Sequence, residues 1–117
     1  MDRPLLESWF AAQSERFRIL VLLRVMHWLT ISLRDVATAD GLDSKSKWEA
    51  AWTVSECNHR LTGYISAVMT GRPHYPEDVI IGILFDHLDH PTVRRYTHYV
   101  WDKAVEDATH LGAHLRQ

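Results

Sequence analysis

Residues 19–33 read ILVLLRVMHWLTISL, and this run decides the fold. Only Arg24 and His27 interrupt a stretch that is apolar on nearly every face of a helix. It lies inside a longer segment, Leu5 to Thr38, that contains neither Gly nor Pro, and Pro4 stands where a first-turn proline is tolerated. The segment predicts one long first helix of roughly 50 Å at 1.5 Å per residue. As a membrane span the run reaches only about 22 Å across a ~30 Å hydrocarbon core and carries a charge near its middle. The expectation is a central helix covered by other helices and, since 117 residues offer limited cover, by a second copy of the chain.

Beyond that segment, Asp40-Gly41-Leu42-Asp43-Ser44 reads as a turn. Gly41 suits a left-handed C-cap, and Asp43 or Ser44 is placed to cap the next helix. A second helix is expected from about Lys45 to Thr70, stopping at Gly71-Arg72-Pro73. Its apolar stripe is Ala50, Val54, Cys57, Leu61, Ile65 and Val68, at three- and four-residue spacing. Going round at 100° per residue puts Trp52, Glu56, His59, Gly63, Ser66 and Thr70 on the opposite side. A third helix should open at Pro76-Glu77-Asp78 and end near His90-Pro91. Thr92 is placed to cap a fourth, with a core stripe of Val93, Tyr96, Val100, Ala104, Ala108, Leu111 and Leu115. No stretch alternates like a strand. The fold class expected is all-α, an antiparallel four-helix bundle with a long first helix, spanning residues 1–117 as one domain.

Composition sets limits on function. The chain is 46% hydrophobic and 24% charged, with a formal net charge of -2 spread along the sequence. That balance points away from nucleic acid and from anionic membranes as partners. One cysteine, Cys57, allows no internal disulfide and suits a reducing, cytoplasmic setting. Asp2, Glu7 and Glu15 precede the apolar run, unlike the opening of an export signal. Eight histidines are the oddity: protonating all of them would carry the formal charge from -2 to +6.

Three constellations carry possible chemistry. The segment Asn58-His59-Arg60-Leu61-Thr62-Gly63 contains H-x-L-x-G and resembles the core of histidine phosphotransfer domains. The resemblance implies a helical bundle in which His59 accepts a phosphoryl group and Gly63 leaves room for a response regulator. Second, Glu56 and His59 form E-x-x-H on one helix face. Equal distances from the turns would bring them level with His27, Asp86, His87, His90 and His98, so a mononuclear metal site built on Glu56, His59, His27 and His90 is an alternative. Third, His98, Asp102, Glu106, His110 and His114 form an i, i+4 row that reads as a solvated, charge-paired face. Cys57 lies on the core stripe, about 200° round from His59, so a Cys–His nucleophile is not expected.

No phosphate loop, dinucleotide fingerprint or nucleophile elbow is present. The leading expectation is therefore a non-enzymatic helical interaction module, a regulator, inhibitor, immunity protein or adaptor. It would need no cofactor, bind a protein partner and form a homodimer. The expected binding face is Trp48, Trp52, Glu56, His59, Gly63 and Ser66, with Trp9 and Trp28 as further candidate anchors.

Overall fold

The segment without Gly or Pro does not form one helix. In the computed structural model, which describes the backbone of residues 3–115 and the side chains of 4–112, the helices are α1 (Arg3–Ala11), α2 (Glu15–Thr38), α3 (Ser44–Met69), α4 (Glu77–Leu88), α5 (Pro91–Thr97) and α6 (Val100–Leu115). The described residues are all helix and connection, with no strand. The expected long first helix breaks because Ser14 adopts an extended conformation, φ -63° and ψ 152°, and its hydroxyl accepts from the Phe17 amide. Arg18 then closes the gap, donating to the carbonyls of Ala11 and Gln13 while pairing with Glu77 at 3.4 Å. The bend lets Leu6 and Phe10 bury completely and lays α1 against α4.

The expected fourth helix also divides. His90, not Thr92, caps α5, with Pro91 in its first turn, and a fresh helix starts at Val100. The described residues therefore form six helices rather than four. Of the core stripe expected for the fourth helix, Leu111 is exposed at 41% and the side chain of Leu115 lies outside the described residues. The turn and cap signals around α3 hold. Gly41 and Gly71 take positive φ, 85° and 70°, and Asp43 caps α3 by accepting from the Ser46 amide at 2.7 Å.

Helix α2 is the axis of the fold. Its neighbours α3 and α6 both run antiparallel to it, as two sets of contacts show. Lys47 reaches the Ala37 carbonyl and Thr62 meets Met26 on one side; Arg24 pairs with Asp107 and Ser32 meets Tyr99 on the other. Val21, Leu22, Val25, Leu29 and Val36 are fully or almost fully buried. Of the large apolar side chains on α2 only Leu23 is exposed, so its surface is covered by its own chain. No helix among the described residues is long and apolar enough to cross a membrane.

The charge in the middle of the apolar run is met by Asp107. Its Oδ2 accepts from Arg24 Nε at 3.0 Å and Trp28 Nε1 at 2.7 Å, and Arg24 Nη2 lies 2.9 Å away. Burial acts to raise the Asp107 pKa, but the hydrogen bonds from Trp28 and Arg24, with attraction to Arg24 and His27, outweigh it and hold the carboxyl below its usual range. The Asp43 pKa is lowered too, chiefly by the Ser46 amide. A folded pKa below the unfolded value, near ~3.9, leaves stability full above that value and removes it as pH falls through the folded pKa. Urea midpoints should thus be flat above about pH 5 and decline below about pH 4. Asp107→Asn should show a shallower acid decline than the parent chain, and an identical one would dismiss the role given to this carboxyl.

Candidate functional site

Helix α3 is two-sided. Ala50, Val54, Cys57, Leu61, Ile65 and Val68 are buried as the spacing requires, joined by Tyr64. At 100° per residue, the opposite line runs through Trp48, Trp52, Ser55, His59, Thr62 and Ser66, all exposed, with exposed Gly63 beside it and half-buried Glu56 at its edge. Trp48 is 75% exposed and Trp52 68%. They stand one turn apart with nothing of their own chain over most of either ring, which is unusual for the residue type with most to gain from burial.

Concave surfaces flank the other half of this face. Between α3 and the connection to α4 lies an open cleft of about 510 Å³, lined by His59, Arg60, Gly63, Ala67, His74 and Tyr75 among others. Tyr64 forms its inner wall, its ring edge-on to His74 at 5.3 Å. Burial pushes the Tyr64 pKa up, Glu77 adds to this and Arg18 opposes it, so the phenol stays neutral at physiological pH. On the other flank a shallow groove of about 380 Å³ runs between α2 and α3, with Leu23, Met26, Ile65 and Met69 in its walls. Away from α3, an apolar pocket of about 280 Å³ lies among Leu84, Phe85, Leu88, Val100 and Trp101.

Trp48, Trp52, His59, Gly63 and Ser66 thus share one face, with Glu56 at its margin. The other two candidate anchors do not join them. Trp9 is half-buried, edge-on to Phe17 and Trp101 with centroids 6.1 and 6.2 Å away, and Trp28 is held by Asp107. Glu56, His59, His27 and His90 do not assemble as a metal site: no three of His, Cys, Asp and Glu gather to hold a metal ion among the described residues. Similar height along a bundle does not fix direction. His27 stands exposed beside Trp28, His87 Nδ1 lies 2.8 Å from the Ile83 carbonyl, and His90 is spent on capping α5. His98, Asp102, Glu106 and His110 are exposed, as a solvated row should be, while the side chain of His114 lies outside the described residues. Burial pushes the Cys57 thiol up to about 12, which keeps it protonated and un-nucleophilic.

Sequence reasoning missed the cleft walls. Tyr75 in the cleft and Met69 in the groove are exposed at 44% and 70%, and the one available signal was for Tyr75, an aromatic residue between Pro73 and Pro76 in a turn. Gly63 is legible in a different way. A Cβ added there meets nothing within 4 Å, so the fold does not require glycine at this mid-helix position. Gly63→Ala should raise the stability of dilute protein by about 0.5–1 kcal/mol in urea unfolding. A loss would show that its backbone is strained or closely approached.

Compared with models of protein families, with curated proteins and with solved structures, the chain matches none.

Proposed function

We propose that this protein is a non-enzymatic helical interaction module, of the regulator, inhibitor, immunity-protein or adaptor kind, that self-associates as a homodimer through the outward face of α3. The observation that carries the reading is the pair Trp48 and Trp52, exposed on successive turns of a helix whose other side is core. Exposed tryptophans backed by a rigid helix lose little conformational freedom on docking and are the commonest energetic anchors of interfaces. The buried, protonated thiol of Cys57 fits a cytoplasmic setting, where a free cysteine persists.

Sedimentation equilibrium over micromolar concentrations tests it. The parent chain should associate, and Trp48→Ser with Trp52→Ser should weaken association at least tenfold while leaving the helical circular dichroism unchanged. A parent chain that stays monomeric at several hundred micromolar would refute self-association.

A second reading, phosphotransfer, is favoured by one observation: His59 is exposed, with Gly63 one turn on and open space above it. His59→Gln should then abolish phosphoryl acceptance from a response regulator charged with acetyl phosphate. Undiminished labelling of that variant would remove His59 from consideration.

A further inference from the structure

Resting on the self-association reading, we infer that two copies pair antiparallel along α3 about a two-fold axis at His59, each seating its Trp52 in the cleft beside the other's Gly63. A two-fold contact uses the same patch twice, so the patch must complement itself. The outward line of α3 does so in only one direction. Its first half carries Trp48 and Trp52, and its second half carries Gly63, Ser66 and Thr70. An antiparallel pair centred on His59 sets Trp52 against Ser66 and Trp48 against Thr70, large against small, with the small pair Ser55 and Gly63 nearer the axis. A parallel pair would force the four indoles together at one end and leave the small residues facing each other across a gap at the other.

Charge supports the same direction. Glu56 and Arg60 lie one turn apart on one flank of the outward line. Antiparallel helices bring each flank against its own copy, as at the flanking positions of an antiparallel coiled coil. Glu56 of each chain is then almost level with Arg60 of the other, which gives two reciprocal ion pairs around the axis. Trp52 and Gly63 lean towards that same flank. The partner's indole therefore arrives over the 510 Å³ cleft, above Gly63 and Ala67 and between His59 and the His74–Tyr75 wall. Four tryptophans burying roughly 150–250 Å² each supply about half of the ~1,600 Å² of a standard interface. Met69 and Tyr75 add to this from the rims.

Cysteine cross-linking tests the arrangement on the full chain. His59→Cys places two thiols at the axis and should give a disulfide-linked dimer under mild oxidation with diamide. Ser66→Cys lies about 10 Å along the helix from the axis, so its two copies stand roughly 20 Å apart and should not cross-link. The parent chain is the blank, because Cys57 is buried. In a second arm, Glu56→Arg should weaken the dimer at least tenfold by sedimentation, and adding Arg60→Glu to it should restore the parent affinity. A dimer that cross-links through Ser66→Cys but not His59→Cys, or a charge swap that fails to restore it, would overturn the arrangement while leaving the interaction module standing. A parent chain monomeric throughout would overturn the arrangement together with the self-association it rests on.

Discussion

Phe10→Ala is expected to cost about 3–5 kcal/mol, the usual range for emptying a fully buried phenylalanine site. Phe10 is 0% exposed, packs edge-on to Trp101 at 6.1 Å and, with Leu6, is what holds α1 to the rest of the core. Because Ser14 separates α1 from α2, the loss should act first on α1. Tryptophan emission reporting on Trp9 and Trp101 should shift at lower urea than the far-ultraviolet signal of the remaining helices. Coincident transitions with less than about 1 kcal/mol lost would mean that α1 contributes little to the fold.

Leu29→Ala should be nearly as damaging, at about 2–5 kcal/mol, for a different reason. Leu29 is completely buried on the axial helix, where the surroundings have little freedom to collapse into the cavity. Arg24, five residues before it, and Trp28, its immediate neighbour, bind Asp107 on α6, and Ser32 meets Tyr99 at 3.2 Å one turn after. The cost should sit towards the upper end of the range and lower Tm by ~10 °C or more. Leu23→Ala, on the exposed side of the same helix, is the control and should change stability by less than about 1 kcal/mol. Equal losses at the two positions would contradict the assigned core.

The contrast between Leu29 and Leu23 marks what sequence pattern can read. Spacing located every helix from α3 onward to within a few residues, apart from the division at His98 and Tyr99, because apolar period and turn residues act locally. The break at Ser14 has a local sign too, a capping residue followed by an acidic first turn. Its cause, however, is distant: Arg18 bridging two carbonyls to Glu77, and Phe10 seeking Trp101. The apolar excess of α2 suggested a partner, yet α3, α5 and α6 cover it, while the uncovered indoles stand on α3. Face arithmetic on α3 was sound because it concerns one helix. The proposed metal level was not, because it needed rotations of four helices that no spacing encodes.

The pairing of Arg24 with Asp107 joins residues 83 positions apart, and that separation has a consequence during synthesis. At roughly 5–20 residues per second, α6 follows α2 off the ribosome several seconds later. Through that interval α3 can fold back on α2, but the side bearing Phe17, Trp28 and Ser32, which Gly112, Asp107 and Tyr99 later cover, stays open to other hydrophobic surfaces. The nascent chain therefore exposes for that interval an apolar stripe that the finished protein covers, and slowing translation between residues 40 and 100 would prolong the exposure.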